Sequence, residues 1–523
     1  MKISLGLSLW VSCFSPTLFA GETLTLSTRS RIAASKWVVP ELEHTKLPVP
    51  APAGDFVIEY KTANWDAGKT AIIVCDMWDT LRNKVSADRV AEMAPRMNEV
   101  LQAARAKGTL IVHAPSGTMD FYKDTAQRAR CVNAPAVETK LPLKWNYLDE
   151  KREAALPVDD SDGGWEGKTL HGTRPQTRQH PAIVIHPDDA IGDGKGIYYL
   201  LKQRGIENVI LMGVHTNMCI LGRPFGIRQL SYLGMNVMLM RDMTDSLYNP
   251  QMEPKVNHFR GTDLVVEHIE KYWCPTTTSS DFINQPAFRF AGDTRPHVIF
   301  MVSDDHYHAD KLMPELAQWL RETQNLQVTV LHGQGKHSIP GMVNLKSADA
   351  VVVYVRRLGL RDEQMKALQA YVAAGKPILG MRTANHAFKM NFKNPKGFQV
   401  PAGQMEWVEF DRDILGGNYH NHGPNEAGTD VKNVVKDHPV MKKVEPTAWH
   451  STGSLYFTQP LAKDATLLMT GSIKTDTEPL TWIRDKAEGR GKVFYTGLGH
   501  PDDFKVPAFR QLMLNAIEWA VEK

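Results

Sequence analysis

Three reactive side chains stand at or just beyond the ends of apolar runs in the first half of this 523-residue chain. Asp76 closes Thr70-Ala-Ile-Ile-Val-Cys-Asp76, and His186 closes Pro181-Ala-Ile-Val-Ile-His186. Cys219 follows Asn208-Val-Ile-Leu-Met-Gly213 by way of Val214-His215-Thr216-Asn217-Met218. Continuous apolar runs of this length suit strands buried on both faces. In doubly wound sheets ligands bind beyond the carboxyl ends of such strands, so acid, imidazole and thiol are expected to meet. The chemistry is thiolate attack on a carbonyl. A helix start lowers a thiol's pKa and presents unpaired amides to an oxyanion. A nearby carboxylate takes the thiol proton and returns it to the leaving group. Cys75 and Cys131 read instead as small buried hydrophobes.

These groups need a frame. Helices are expected over Ser86–Lys107, Lys195–Arg204 (closed by Gly205) and Cys219–Leu233 (closed by Gly234), with further strands at Thr109–His113 and Asn236–Asp242. Residues 276–295 have the composition of a linker. A second alternation then places strands near 297–302, 327–331, 350–354, 377–380, 466–469 and 492–496, and a last helix from Pro507 to Val521. The fold class is α/β: two doubly wound domains, 66–275 and 296–523, each a mainly parallel sheet with helices on both faces. Residues 21–65, with Pro40, Pro48, Pro50 and Pro52, read as an extended arm wrapping the first domain, and 115–180 as an inserted loop region.

Composition agrees with a two- or three-domain globular protein: 42% hydrophobic and 23% charged. A net charge of +3 without a long basic run gives no footprint for nucleic acid or an anionic membrane. Lys2, the apolar stretch Ile3–Val11 and Phe19-Ala20-Gly21 read as a signal peptide over 1–20, hence export to the periplasm or beyond. That stretch is too short to span a bilayer, so no transmembrane segment is expected after its removal. Of five cysteines, Cys13 leaves with the leader; Cys75, Cys131, Cys219 and Cys274 are too few for a disulfide framework.

The segments "IIVCDMWDT" and "VILMGVHTNMCI" resemble the two signature segments of the isochorismatase-like cysteine hydrolases, and the likeness extends over about residues 66–275. The resemblance implies an Asp, Lys and Cys triad, with Asp76 and Cys219 in two of the places. It also implies an oxyanion hole of the His215 and Cys219 amides around a cis Val214–His215 bond. The Lys has no match, because His186 holds its expected place. An imidazolium stabilises a thiolate only while protonated. Trp78, His113, Phe121 and Asn217 are expected to line the substrate pocket, and Arg223 and Arg228 either to meet a substrate carboxylate or to point to solvent. The metal-binding spacing of some family members is absent, so the Cys site is expected to need no cofactor.

From about 296 to 523 the chain resembles the ThuA-like (trehalose utilisation) family, carried by "GKPILGMRTANHAF", "WHSTGSLY" and "GRGKVFYTGLGHPDDFKVPAFRQLMLNAIEWA". The resemblance implies a fold like the class I glutamine amidotransferases and a carbohydrate-related ligand. Arg382 stands where those enzymes carry a nucleophile, so glutaminase chemistry is excluded. Asp304, His306, His308, His386, His450 and His500, with Arg382, form the expected second pocket, for a divalent metal or a hydrogen-bonded sugar. Two functions follow. One is an exported hydrolase of a C–N bond in a small amide or carbamoyl substrate. The other is a non-catalytic scaffold of two degenerate enzyme folds. Homo-oligomerisation stays open.

Overall fold

The protein is described from a computed structural model covering residues 22–38, 47–52, 54–166, 175–391, 398–486 and 489–522. The leader expected over 1–20 lies outside these residues. No helix among them is long and apolar enough to cross a membrane.

The first domain is an eight-stranded sheet. Its strands are β1 (Thr23–Ala33), β2 (Phe56–Asp66), β3 (Thr70–Cys75), β4 (Leu110–Ala114), β5 (Ala190–Ile191), β6 (Asn208–Val214), β7 (Asn236–Asp245) and β8 (Thr276–Thr277), in the order β2-β1-β8-β7-β6-β3-β4-β5. Strands β3 to β8 run parallel; β1 is antiparallel to β2 and β8. Helices α1 (Lys84–Ala106), α2 (Ala126–Val132), α3 (Lys195–Gln203), α4 (Cys219–Gly222), α5 (Ile227–Tyr232) and α6 (His258–Tyr272) flank it. Every residue of β3 and β6 is buried, as continuous apolar runs between two helix layers must be.

In the second domain, strands β9 (His297–Ser303), β10 (Gln327–His332), β11 (Ala350–Val355), β12 (Leu360–Arg361), β13 (Ile378–Met381), β14 (Gln404–Met405), β15 (Asn421–His422), β16 (Thr429–Asn433), β17 (Ala448–Ser451), β18 (Tyr456–Phe457), β19 (Ala465–Ser472), β20 (Thr477–Arg484) and β21 (Val493–Thr496) follow in chain order. Nine of them form one sheet, β10-β9-β11-β13-β21-β20-β19-β16-β17, parallel through β21 and antiparallel beyond it. Helices α7 (Ala309–Thr323), α8 (Asp362–Ala373) and α9 (Pro507–Val521) cover it.

Four expectations change. Residues 23–33 and 56–66 are not an extended arm: they pair along their whole length as a hairpin on the sheet edge. The stretch 181–186 is not a strand. Val184 is exposed and its amide donates to the Asn98 side chain at 3.0 Å, not to a strand, whereas Ala190 and Ile191 pair with β4. The supposed linker contributes β8 to the sheet and buries Phe282 and Phe290 in the first core. Finally, the helix expected from Cys219 breaks after Gly222, because Pro224 has no N–H to continue the ladder.

Gly213, last but one in β6, has φ +117°, and a Cβ there would lie 2.0 Å from the carbonyl oxygen of Cys75. Gly234, at φ +76°, faces open space. Gly234→Ala is therefore expected to cost about 1 kcal/mol, and Gly213→Ala at least about 3 kcal/mol, since backbone must move as well. Urea unfolding of the two variants checks the difference.

Candidate functional site

Strands β3, β4 and β6 end side by side, and the three turns that leave them build the site. Asp76 follows β3 with φ 50°, in the left-handed region, which turns its fully buried carboxyl across the strand ends. The Ser116 amide, two residues past β4, donates to Asp76 Oδ1 at 2.8 Å. Arg223 donates to Oδ2 from Nε at 3.0 Å and from Nη2 at 2.8 Å. The Cys219 thiol lies close enough to the same carboxylate and to Arg223 for both charges to act on it. Thus acid and cation are in direct contact, with the thiol next to them. A cavity of about 500 Å³ adjoins Arg223 and Ser116 and is lined also by Trp78, Gln176, Asp193 and Pro224; Asp76 and Cys219 are not in its wall. Trp145 lies under the Arg223 guanidinium, 5.4 Å from it.

The electrostatics differ from the expected helix-start activation. α4 has only four residues, too short for an appreciable macrodipole. Burial pushes the Cys219 thiol well up, and the Asp76 charge pushes it further, against the pull of Arg223. Burial also raises Asp76, despite Arg223 and its hydrogen bonds. Burial works against the Arg223 charge, but the Asp76 charge and hydrogen bond, with the neighbouring sulfurs, outweigh it together, so Arg223 stays protonated. In the resting site the sulfur therefore keeps its proton beside the acid, beneath a fixed positive charge.

The loop before the thiol is held from behind. Val214–His215 is a cis peptide. The buried His215 ring meets Ser86 Oγ at 2.7 Å, and burial drops its pKa to about 4, so the ring is neutral. The Thr216 hydroxyl meets that of Thr244 at 2.7 Å, and Thr244 in turn donates to the Gly213 carbonyl at 2.7 Å. Asp245 accepts the Thr216 amide on its carbonyl, and its carboxylate pairs with His258 and Arg89, each at 2.7 Å. Among the described hydrogen bonds, no carbonyl accepts from the amides of His215 or Cys219.

Other sequence candidates fall elsewhere. The His186 side chain is 47% exposed beside Asp188, away from the thiol, because its segment is a surface turn. His113 is sealed in the core between Gln179 and Asp189, both at 3.0 Å, and does not line the cavity. Phe121 is exposed and packs on Tyr122 under Arg178. Asn217 clamps the loop, bonding Leu247 through both its amide and carbonyl oxygen and reaching Asp160. Of the four pocket residues only Trp78 lines the cavity. Arg228 turns to Glu153, not to a ligand. All four cysteines among the described residues are free thiols.

In the second domain, Arg382 is buried with φ 47°. Its guanidinium donates to the carbonyls of Gly497 (2.7 Å) and Ser454 (3.0 Å) and lies over the rings of Tyr456 and Tyr307. Asp304 is buried beneath, accepting from the Tyr307 amide and the Thr383 hydroxyl, both at 2.8 Å. His386 stacks on Tyr419, and His306 and His500 stand edge-on to Tyr307. Burial, then Arg382, lowers His500 to about 4. Two candidates leave this group. His308 turns to the Leu47 carbonyl at 3.1 Å, and His450 is a surface partner of Asp430. Among the described residues no three His, Cys, Asp or Glu side chains come together as metal ligands. Sequence reasoning missed the tyrosines and Asp411, which accepts the Tyr419 amide at 2.6 Å and is raised to about 7 by burial. No spacing rule announces either.

The isochorismatase domain family matches residues 70–262, and the trehalose-utilisation family ThuA matches residues 298–520. Among solved structures, a ThuA-like protein from Bacteroides uniformis ATCC 8492 shares 18% identity at a TM-score of 0.35, covering 45% of this chain and 95% of its own. A cysteine hydrolase from Pseudomonas syringae pv. phaseolicola 1448A shares 16% at a TM-score of 0.27, covering 42% and 92%. An isochorismatase family protein from Desulfovibrio vulgaris subsp. vulgaris str. Hildenborough shares 16% at 0.23, covering 38% and 89%. No curated protein matches the chain.

The buffer of charges behind the loop has a pH signature. Despite desolvation, Asp245 and Glu166 raise His258 from 6.5 to about 9. A raised folded-state pKa gives stability that is full below the unfolded value and is lost as pH rises through the folded one. The stability difference between wild type and His258→Gln is thus expected to shrink by on the order of 2–3 kcal/mol from pH 6 to pH 10. Denaturant titrations at the two pH values measure it.

Proposed function

Because the chain joins an isochorismatase-family domain to a ThuA-like domain, we propose that its first half hydrolyses a C–N bond, amide or carbamoyl, in a small molecule through Cys219. The observation that carries this reading is the buried Asp76–Arg223 pair, with the Cys219 thiol in the field of both charges and Arg223 lining the cavity. Asp76 takes the thiol proton as sulfur attacks the carbonyl carbon. The amides of His215 and Cys219 receive the oxyanion. Asp76 then protonates the leaving nitrogen, and a water deprotonated by Asp76 cleaves the thioester.

Arg223 occupies the electrostatic role that the resemblance gives to a lysine. A guanidinium cannot deliver a proton at working pH. All proton traffic therefore passes through Asp76, and Arg223 only holds the negative charge as it moves from carboxylate to sulfur. Since the base form of Asp76 is required and burial raises its pKa, turnover is expected to fall as pH drops through that raised value.

The second half is read as a binding domain for a carbohydrate-related ligand. Arg382 replaces a nucleophile and is committed to main-chain carbonyls, while Tyr307, Tyr419 and Tyr456 offer the apolar faces and hydroxyls that sugars use. Export rests on the composition of residues 1–20. N-terminal sequencing of the protein recovered outside the cytoplasm tests it, and an intact Met1 would end it.

A panel of small amides, ureides and carbamoyl compounds, assayed for ammonia or amine release, tests the hydrolase. Wild type is expected to turn over at least one, and Cys219→Ala none. Asp76→Asn is expected to lose about 10²–10⁴-fold in turnover. The same variant is expected to speed alkylation of Cys219 by iodoacetamide, because the charge that raises the thiol is gone. Arg223→Gln is expected to slow alkylation. A wild type inert to the whole panel, with Cys219 alkylated no faster than Cys75, leaves the scaffold reading.

A further inference from the structure

A second cavity, of about 260 Å³, lies between the two domains. The first domain contributes Arg29 on β1, Tyr60 on β2 and Arg241 on β7; the second contributes Arg321 on α7, Gln327 and His332 on β10. The volume is just under the roughly 300 Å³ at which small-molecule sites begin.

The charges around it do not balance locally. Arg29 and Arg31 pair with Glu270, and Arg31 and Arg260 with Glu267. Arg295 pairs with Asp263 and Asp293. The nearby Asp242 accepts from Ser279 and the Phe288 amide, and Asp281 from the Ser27 amide and Thr277. Arg241 and Arg321 have no carboxylate within ion-pair distance among the described residues. Arg241 gives one hydrogen bond, to Thr276 at 3.1 Å. Arg321 is only 6% exposed; its Nε and Nη1 go to Val328 and Gln318, while Nη2 is buried with no acceptor. The Tyr60 hydroxyl is likewise buried without a partner, its ring stacked on His332.

Arg241 is half-buried and feels Asp242 and Asp281 only at longer range, as the buried Arg321 feels Glu267; burying a guanidinium without an ion-paired carboxylate costs several kcal/mol, and buried donors are nearly always satisfied. The local field is visible in the neighbours. Burial, then Arg29, pulls Arg241 down to about 10. Burial alone would raise the Tyr60 hydroxyl, but Arg321, Arg29 and Arg241 together bring it below its ordinary value. Two further lining atoms are buried without a hydrogen-bond partner: Arg289 Nε, and the Gln327 amide oxygen, which becomes a donor when the amide is turned over.

We propose that this interdomain cavity binds a small oxyanion, a phosphate or carboxylate group, through Arg241, Arg321 and the Tyr60 hydroxyl. Its donors come from both domains, so an occupied site ties the N-terminal hairpin and β7 to α7 and resists their separation. The site is distinct from the Cys219 cavity and does not depend on the hydrolase reading.

The full-length protein is titrated with sodium phosphate and, separately, sodium succinate, each against sodium chloride of matched ionic strength, and followed by thermal unfolding and calorimetry. Wild type is expected to show a saturable rise in melting temperature with at least one probe. The probe that works distinguishes a phosphoryl from a carboxylate ligand. Arg241→Gln and Arg321→Gln are expected to weaken binding at least about tenfold, Tyr60→Phe by a smaller factor, and Cys219→Ala not at all. Should Arg321→Gln fail to fold, Arg241→Gln and Tyr60→Phe carry the comparison. No response beyond chloride to either probe, or an undiminished response in Arg241→Gln and Tyr60→Phe, overturns the proposal.

Discussion

A carboxyl group sealed from water at the end of the central strand needs a cation, and the first domain is arranged around meeting that need. Asp76 is wholly buried and held in a left-handed conformation. An isolated carboxylate in that place would simply be protonated. Arg223 and the Ser116 amide lower the cost of its charge without cancelling it. The arrangement demands that the chain break its helix after the thiol. Arg223 reaches Asp76 from the residue just past the one-turn α4, and Pro224 fixes where that turn stops. A continuous helix over 219–233 would carry this residue around a different face.

The sheet ends were legible in the sequence, because long apolar runs such as β3 and β6 admit little besides buried parallel strands. Asp76 and Cys219 came with them. The cation did not, since an arginine four residues beyond a cysteine looks the same whether it faces solvent or the strand ends. His186 was misplaced for a related reason. Pro181-Ala-Ile-Val-Ile-His186 has a strand's composition, but pairing requires a free edge, and β4 gives its edge to Ala190 and Ile191. The hairpin β1–β2 was missed because its alternating pattern is interrupted by polar residues that serve the domain contact. The tyrosine group around Arg382 is assembled from segments far apart in sequence, which local pattern cannot join.

That hairpin explains how two separately recognisable domains form one body. It extends the first sheet by two strands, yet Arg31 reaches Gln318 on α7 at 2.8 Å and Tyr60 stacks on His332. Gln318 also donates to Glu267 at 3.1 Å, and Asn257 donates to Asn325 at 2.7 Å. The contact thus includes charged and amide groups beside the Tyr60–His332 stack. Such contacts are specific in geometry but cheap to open, and a charged ligand between the domains has leverage on them.

The same accounting decides how the thiol must react. An ion pair of thiolate and cation formed in advance needs a sulfur whose charge is better solvated than that of its neighbour. Here the sulfur is buried and its nearest carboxylate opposes a second negative charge. One guanidinium cannot hold both anions at full charge in so dry a place. The proton must therefore leave sulfur as the bond to carbon forms, when the negative charge passes outward to the oxygen and toward the free amides of the cis-peptide loop. Arg223 steadies the acid through that transfer, since both its Nε and its Nη2 donate to Asp76 Oδ2. A lysine, with a compact charge and transferable protons, would let the sulfur ionise first. The substitution of a guanidinium thus favours thiol attack coupled to proton loss over attack by a pre-formed thiolate.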